Sequence, residues 1–288
     1  MRLDGRTVLI TGSTAGVGAA AARRLAALGA RVVLHGRDAP SGEALASELT
    51  DAGPGRATFL RADFASLEEV RAFAGRALED LDHLDALVLN AGLASARRVT
   101  TPDGFELTFA VNHLAHFLLA HRLLDALRET AARGRAARIV VVSSNGHRHG
   151  NLDLERVVDP PDYGGWMAYA NSKLANVLFA REAARRWRDH GITVNALHPG
   201  VLATRIWDRN RGFVWGLARF AKVFMGSPDE GGRAVEHLVA DPGLEGVTGA
   251  YFDGTERAEP GLPPDHEELA RRLWEHSRAW VGLAEMAA

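Results

Sequence analysis

Cysteine is absent from this chain of 288 residues, and its absence excludes a whole class of chemistry. Without a thiol there is no disulfide, no thiolate nucleophile and no cysteine-ligated zinc or iron–sulfur site. A long apolar stretch is also lacking at the N-terminus, which enters only a short apolar run at Thr7. We therefore expect a cytoplasmic protein without a membrane span, whose chemistry depends on other side chains.

An excess of charge of one sign is missing as well. The formal net charge is −2 at pH 7, so the chain has no basic field that could hold nucleic acid or an anionic membrane by counterion release. There is no internal repeat, low-complexity tract or Pro/Gly/Ser linker that would divide the chain into parts. We expect a single domain over residues 1–288 that does not bind nucleic acid.

Short apolar runs alternate with longer helical patterns along the chain. The runs are nearly continuous in Val, Ile, Leu and Ala, as expected for strands that helices cover on both faces. They span residues 7–11, 31–35, 57–60, 86–89, 138–143 and 193–198. The helical patterns span residues 16–28, 66–81, 104–132 and 167–190. This alternation predicts an α/β fold with a doubly wound parallel sheet, and Ser66 followed by Glu69 predicts a capping box.

A glycine-rich loop follows the first predicted strand. Its glycines allow a tight turn and let backbone amides and a helix N-terminus approach a pyrophosphate. Glycines near a helix start also occur in ordinary turns, but a second motif lies at the carboxyl end of the fourth predicted strand, beside the same crevice. The two motifs together predict a dinucleotide site that contains Gly12, Ser13, Thr14, Gly16, Val17, Gly18, Asn90, Ala91 and Gly92.

The residues after the second and third predicted strands bear on which dinucleotide binds. An acidic residue after the second strand would accept the ribose 2′-hydroxyl of NAD, whereas Arg37 suits the 2′-phosphate of NADP. The alternative is that Arg37 points to solvent and Asp38 takes the hydroxyl. The residue chemistry favours NADP. Asp63 could bind the adenine amino group or lie in a solvated turn, and its neighbour Phe64 is assigned to the same cofactor site.

Tyr169 and Lys173 lie four residues apart in a helical pattern, so their side chains share one helix face. An adjacent ammonium can lower the pKa of a phenol by favouring the phenolate. This spacing alone occurs often without catalytic meaning. Here Ser144 ends the fifth predicted strand, at the same edge as the glycine-rich loop, so its hydroxyl can reach a carbonyl over the nicotinamide. The three residues predict a proton-transfer site.

These motifs, in this order, resemble the short-chain dehydrogenase/reductase family from about Leu3 to Tyr251. The resemblance implies a Rossmann-type fold and hydride transfer between nicotinamide and a carbonyl carbon, with Tyr169 giving or taking the proton. Ser144 would hold the oxygen, and Lys173 would bind the nicotinamide ribose. Asn112 would fix the long helix and hold water for a proton relay. The family pattern places three further residues around the nicotinamide and its phosphate, namely Pro199, Gly200 and Thr204.

Two segments are most similar to the retinol-dehydrogenase-like branch of the family, namely 111–117 and 172–176. Members of this branch mostly prefer NADP. A lipophilic aldehyde, ketone or alcohol is the expected substrate, because the stretch after residue 204 is apolar and aromatic. The apolar, aromatic stretch at 204–226 is interpreted as a substrate lid, and residues 265–284 as a C-terminal helical appendage that docks on its own domain or on a second subunit. The family's long helices commonly pair subunits, so a homodimer or homotetramer is expected.

Three alternatives accompany this interpretation. Reduction of an activated C=C bond would use the same hydride and the same proton donor. A non-catalytic NADP-sensing regulator could keep the fold, but it has no need for Ser144, Tyr169 and Lys173 together. The spacings of His113 with His116 and of His147 with His149 would suit a metal. No third ligand is evident, so no metal site is predicted.

Overall fold

The computed structural model describes residues 2–200 and 227–283. The segment interpreted as a lid, 204–226, and with it Thr204, lies outside the described residues. So does residue 284, the last of the predicted C-terminal appendage.

Eight strands form one sheet in the order β3-β2-β1-β4-β5-β6-β7-β8. All neighbouring strands are parallel except β7 and β8, which are antiparallel. The strands are β1 (Thr7–Ile10), β2 (Arg31–Gly36), β3 (Arg56–Arg61), β4 (Ala86–Leu89), β5 (Ala137–Val142), β6 (Ile192–His198), β7 (Tyr251–Asp253) and β8 (Glu256–Ala258). The predicted doubly wound α/β fold is confirmed, with six strands where the apolar runs placed them.

Helices connect the strands and cover both faces of the sheet. They are α1 (Gly16–Ala27), α2 (Ala39–Ala52), α3 (Leu67–Asp80), α4 (Leu107–Phe109), α5 (Ala115–Arg122), α6 (Leu124–Ala132), α7 (Gly165–Arg186), α8 (Pro228–Ala240) and α9 (His266–Trp280). Helices α1, α2 and α8 pack on one face through Leu25, Leu45 and Val235. Helices α3, α5, α7 and α9 cover the other through Phe73, Phe117 and their neighbours. Burial on both faces explains why β4 is apolar throughout and β1 is apolar after Thr7.

The stretch predicted as one helix over 104–132 is interrupted. A π-helical turn at Ala110–Leu114 separates α4 from α5, and Leu123, with φ −98° and ψ 3°, separates α5 from α6. The capping box predicted at α3 is only half formed. Ser66 accepts a bond from the Glu69 amide, but the Glu69 carboxylate accepts from the amide of Asp63 instead. The carboxylate thereby fixes the turn after β3 rather than the helix start.

The C-terminal helix α9 docks on its own domain. The Trp274 indole lies edge-on to Phe117 and stacks on Phe179, and the Arg186 guanidinium lies 4.8 Å from its ring centroid. Arg186 also donates to Glu275 at 2.7 Å. Helix α9 therefore buries its apolar side against α5 and α7. Over residues 2–200 and 227–283, no helix combines the length and apolar character that a membrane crossing needs.

Candidate active site

The centre of the candidate site is the carboxyl edge of β1 and β4, where one threonine joins two motifs. The Thr11 hydroxyl accepts hydrogen bonds from the amides of Asn90 at 2.8 Å and Ala91 at 2.9 Å. The Asn90 side-chain amide in turn donates to the carbonyls of Thr11 and Gly12, at 2.8 and 3.0 Å. The glycine-rich loop and the Asn90-Ala91-Gly92 motif thus form one rigid unit.

Two glycines, Gly12 and Gly18, lie where neighbouring parts of the chain are too close for any side chain. Gly12 adopts φ +63°, and a Cβ at this position would lie 2.7 Å from the Ala91 Cα. A Cβ on Gly18 would lie 2.4 Å from the Gly12 carbonyl oxygen and 2.6 Å from the Asn90 amide nitrogen. Both positions therefore require glycine, because the chains approach more closely than any side chain permits.

The first turn of α1 can bind an anion. The residue before the helix, Ala15, provides no side-chain cap, so no side chain satisfies the first amides there. Gly16 has φ +58°, and a Cβ there would meet no atom within 4 Å. Val17 is buried, while Thr14 lies against Gly36. Free amides, the helix dipole and open space at Gly16 together fit a pyrophosphate.

A buried histidine that was not predicted from the sequence, His35, fixes the glycine-rich loop by hydrogen bonds. His35 Nδ1 accepts a hydrogen bond from the Gly12 amide at 3.0 Å, and its Nε2 donates to the Ala62 carbonyl at 3.2 Å. Its ring stacks on Phe64 at 3.9 Å. Ser13 completes the contact, because its amide donates to the His35 carbonyl and its hydroxyl accepts from the His35 amide. Burial lowers the pKa of His35 to about 4, which keeps the ring neutral.

Arg37 and Asp63 lie together at the end of this loop. An Arg37 Nη1 is 3.7 Å from an Asp63 carboxylate oxygen, and the Arg37 side chain is 47% exposed. Asp63 also accepts from the amide of Ala65 at 3.0 Å. The alternative acceptor, Asp38, caps α2 by accepting from the Ser41 amide and the Ser41 hydroxyl. That hydrogen bonding lowers the pKa of Asp38. Asp38 is thus engaged elsewhere, while Arg37 keeps an open guanidinium.

Asn112 lies in the π-helical turn and is fully buried. Its carboxamide accepts from the Leu93 amide at 2.8 Å and donates to the Leu93 carbonyl at 2.9 Å. It also donates to the hydroxyl of Ser172, which in turn donates to the carbonyl of Tyr169. Asn112 thereby ties α7 to the segment after β4.

Tyr169 and Ser144 are brought together at the carboxyl end of β5. The phenol is 7% exposed and shares a side-chain hydrogen bond with the Ser144 hydroxyl. The same hydroxyl accepts from the Gly146 amide at 3.2 Å. A Cβ on Gly146 would lie 3.4 Å from the Tyr169 ring and 3.5 Å from the Ser144 oxygen. A carbonyl oxygen near this pair would meet two hydroxyl groups at once.

Lys173 completes the set from one turn further along α7. Its ammonium donates to the Val142 carbonyl at 3.1 Å and lies 5.8 Å from the centroid of the Tyr169 ring. A Cβ on Gly92 would lie 3.3 Å from the Asn112 carboxamide oxygen and 3.5 Å from the Lys173 ammonium, so both polar groups flank Gly92. The four residues predicted for catalysis therefore surround one edge of the cofactor crevice.

The expected direction of the tyrosine pKa shift is wrong for this structure. We expected Lys173 to lower the pKa of the phenol, but burial raises the pKa of Tyr169, and only the Ser144 bond opposes it. Burial also lowers the pKa of Lys173 to about 8. The physical reason is desolvation, which disfavours the charged form of both groups. Spacing along a helix could not reveal it.

The remaining predicted residues border the crevice or lie outside the described part. Pro199 and Gly200 directly follow β6, and Gly200 has φ +94°. Thr204 lies outside the described residues. Trp166 is 45% exposed, with its ring 6.1 Å from that of Tyr169. It therefore forms part of the open side of the site.

Two of the histidines considered as metal ligands, His147 and His113, make hydrogen bonds within the chain. His147 Nδ1 lies 2.7 Å from the Ser144 carbonyl, and its Nε2 lies 2.5 Å from the Pro260 carbonyl. His113 contacts the Ser277 hydroxyl of α9 at 2.8 Å. No group of three His, Asp or Glu side chains suited to a metal is found among the described residues. His35 gave no sequence signal beyond its place at the end of a predicted strand.

Comparisons with known proteins identify similar sequences and structures. A family model described as short chain dehydrogenase matches residues 6–213. The chain is similar to retinol dehydrogenase 14 of Mus musculus, with 39% identity over 296 residues that cover 98% of this chain and 87% of the relative. It is also similar to polyprenol dehydrogenase of Mus musculus, with 42% identity over 279 residues, covering 94% and 82%.

A similar solved structure is the NADP active-site complex of Pseudomonas aeruginosa RhlG. Its TM-score is 0.71 and its sequence identity 26%, and the match covers 88% of this chain and 95% of that one.

Proposed function

Because the chain belongs to the short-chain dehydrogenase family, whose members are oxidoreductases with a nicotinamide cofactor, we propose that it uses NADP(H) to interconvert an aldehyde or ketone and its alcohol. The proposed substrate is a lipophilic small molecule. The observation that carries the proposal is the buried Tyr169 phenol, hydrogen-bonded to Ser144 at the glycine-rich edge of the sheet.

Residues of this chain supply each part of the cofactor site. The close approach at Gly12 and Gly18 and the uncapped start of α1 suit the pyrophosphate. The exposed guanidinium of Arg37 suits a 2′-phosphate, and the engagement of Asp38 with Ser41 supports NADP over NAD. When bound, the cofactor supplies or accepts the hydride at its nicotinamide.

Tyr169 is the proposed proton donor to the substrate oxygen. Because burial raises its pKa, the phenol stays protonated at neutral pH, which is the state that can donate to a carbonyl oxygen as hydride arrives at the carbon. Ser144 holds the same oxygen by its hydroxyl. Lys173, still cationic near neutral pH, would bind the nicotinamide ribose. This protonation state favours carbonyl reduction.

The lipophilic substrate is proposed from the open side of the site. Trp166 and Met167 are 45% and 38% exposed, at the start of the helix that bears Tyr169. An apolar molecule would cover these side chains as its carbonyl reached Ser144. The names of the relatives, which refer to retinol and polyprenol, support the same class. A cytoplasmic location and a homodimer or homotetramer stay predictions of the sequence.

A carbonyl panel tests the proposal. Decanal, all-trans-retinaldehyde, acetaldehyde and trans-2-decenal are each supplied with NADPH or NADH, and products are identified by chromatography. We expect NADPH-dependent reduction of the long-chain aldehydes and weak use of acetaldehyde. With trans-2-decenal the product should be the unsaturated alcohol. Formation of decanal would assign C=C reduction instead, and NADPH binding without turnover of any carbonyl would support the sensor.

A further inference from the structure

A second buried histidine, His116, joins the two halves of the candidate site. It lies in α5, one turn after Asn112, and is 1% exposed. One ring nitrogen, Nδ1, is 3.0 Å from the main-chain carbonyl oxygen of Asn112. The other, Nε2, is 2.9 Å from the Thr11 hydroxyl. Of these two partners, Asn112 connects α7 to the site, and Thr11 joins the two cofactor motifs.

The hydrogen-bond partners fix the tautomer of His116. A carbonyl oxygen can only accept, so Nδ1 must carry the proton that is donated to Asn112. Burial lowers the pKa of His116 to about 3, so the ring is neutral and Nε2 has a lone pair. The Thr11 hydroxyl therefore donates to Nε2 at 2.9 Å, which is closer than its other possible acceptor, the Val88 carbonyl at 3.3 Å, while its oxygen accepts from the amides of Asn90 and Ala91. The donor and both lone pairs of this hydroxyl are all used.

The bonds form one chain that runs in a single direction. It starts at the amides after β4, passes through the Thr11 hydroxyl and the His116 imidazole, and ends at the carbonyl of Asn112. Such a chain is strengthened by mutual polarisation in a buried setting. The Phe64 ring packs edge-to-face with the His116 ring, with centroids 5.9 Å apart, which restricts the orientation of the imidazole.

We infer that His116 is a positioning residue, which fixes Asn112 relative to the cofactor-binding edge by bridging Thr11 and the Asn112 carbonyl. It touches neither substrate nor cofactor and acts through Asn112, whose carboxamide lies beside Lys173 at Gly92. The effect on turnover rests on the proposed function, whereas the bridge itself does not. The test therefore has two readouts, one that detects the bridge directly and one that measures its effect on turnover.

The chain offers a matched control in His121, one turn and a half further along α5. His121 Nδ1 lies 2.8 Å from the Phe117 carbonyl, the same local bond that His116 makes to Asn112. Its Nε2 has no hydrogen-bond partner among the described residues. His121 therefore has the local bond without the bridge to the cofactor loop.

The first readout is the histidine tautomer, measured by two-bond ¹⁵N–¹H correlation on ¹⁵N-histidine-labelled protein at pH 7. Loss of a signal in His116→Asn assigns it. We expect the Nδ1–H tautomer for His116 and, as internal reference, the Nε2–H tautomer for His35, which donates from Nε2 to Ala62. An Nε2–H tautomer or an imidazolium at His116 would overturn the bridge, whether or not the protein proves to be a reductase.

The second readout is steady-state reduction of decanal by NADPH in His116→Phe and His116→Asn, beside His121→Phe and His121→Asn. An asparagine amide reaches the position of Nδ1, so His116→Asn keeps the bond to the Asn112 carbonyl but does not reach Thr11. We expect kcat to fall about 10- to 100-fold in both His116 variants, because small displacements near the chemistry have effects of this size. The Kd for NADPH should change much less, and the His121 variants should keep wild-type kcat.

Full recovery of kcat in His116→Asn would mean that the local bond suffices and would refute the bridging role. Equal losses in the His121 variants would refute it as well, since they would indicate a general need for intact helix packing. If His116→Phe does not fold, the kcat of His116→Asn and the tautomer of His116 still decide whether His116 forms the bridge. If wild-type protein does not reduce decanal, the proposed function fails on that substrate, and the tautomer alone decides the bridge.

Discussion

Arg37 is the residue on which the choice of cofactor depends. Its guanidinium lies at the end of the crevice, 47% exposed and 3.7 Å from Asp63. Arg37→Asp replaces the group that would pair with a 2′-phosphate by one that repels it and can accept a ribose hydroxyl. We expect kcat/KM for NADPH to fall about 10- to 100-fold, since a lost charge-assisted contact is worth about 1.5–3 kcal/mol, and kcat/KM for NADH to rise or stay unchanged.

Arg133→Asp is the control for this change, because it alters the net charge equally on an exposed arginine at the end of α6. It should leave both kcat/KM values unaffected. An unaltered ratio of NADPH to NADH efficiency in Arg37→Asp would remove Arg37 from the proposed role.

Lys173 sets the alkaline limit of activity in this account. Burial lowers its pKa to about 8, so the ammonium loses its proton as the pH rises through that value. The rate of carbonyl reduction should therefore decline above about pH 8, while Tyr169, with its raised pKa, still has its proton. Lys173→Arg keeps the charge to higher pH, so any activity that remains in this variant should lack the decline. The measurement is kcat/KM for NADPH against pH, which reports groups of the free enzyme; a decline at the same pH in Lys173→Arg would contradict the assignment.

At the scale of elements, α1 and its loop require glycine at Gly12 and Gly18, whereas α3 should tolerate another residue at Gly75. Gly18→Ala would place a Cβ 2.4 Å from the Gly12 carbonyl, so we expect lost NADPH binding and a lower melting temperature. Gly75→Ala, in the interior of α3 with no atom within 4 Å of the new Cβ, should raise stability by about 0.5–1 kcal/mol. The two variants are compared with wild type by thermal unfolding and NADPH titration. Normal NADPH binding in Gly18→Ala would refute the proposed role of the glycine-rich loop in binding the pyrophosphate.

Most elements could be predicted from the sequence because their signals are local. Strands β1, β4 and β5 are buried on both faces and form nearly continuous apolar runs in the sequence, interrupted only by Thr7 in β1 and Arg138 in β5. Strands β7 and β8 have only three residues each, too few for a period. The π-helical turn at Ala110–Leu114 also gave no sequence signal. It coincides with the contacts that Asn112 makes with Leu93, which lie distant in sequence.

The candidate site likewise has features that could be predicted from the sequence and features that could not. Tyr169, Lys173 and Ser144 could be selected from helix spacing and from the strand ends. The raised pKa of Tyr169 could not be predicted, because it depends on how deeply the folded chain buries the phenol. His35 was overlooked because it sits inside an apolar strand run, where its contact with Gly12 is invisible from the sequence.

The whole molecule should lose stability in mild acid, because it buries neutral histidines. Burial lowers the pKa of His35 and of His121 from 6.5 to about 4, so between these values the unfolded chain binds protons that the folded chain does not. Stability is therefore complete above pH 6.5 and falls as the pH drops toward 4. Each such histidine contributes about 1.4 kcal/mol per pH unit over this range.

Chemical denaturation at pH 7, 6 and 5 measures this slope. His121→Phe removes one titrating group from a cluster of aromatic rings, so its free energy of unfolding should depend less steeply on pH than that of wild type. A parallel pH dependence in the two proteins would show that His121 is not buried in the neutral form.

The account as a whole depends on the Tyr169 phenol as proton donor in a bound dinucleotide site. Its most direct test is Tyr169→Phe, assayed for NADPH binding by fluorescence titration and for reduction of decanal in the same preparation. Phenylalanine keeps the ring and removes only the hydroxyl that bonds Ser144. We predict an NADPH Kd close to that of wild type and a loss of turnover of at least about 100-fold, the scale of general-acid catalysis. Wild-type turnover in this variant would contradict the account.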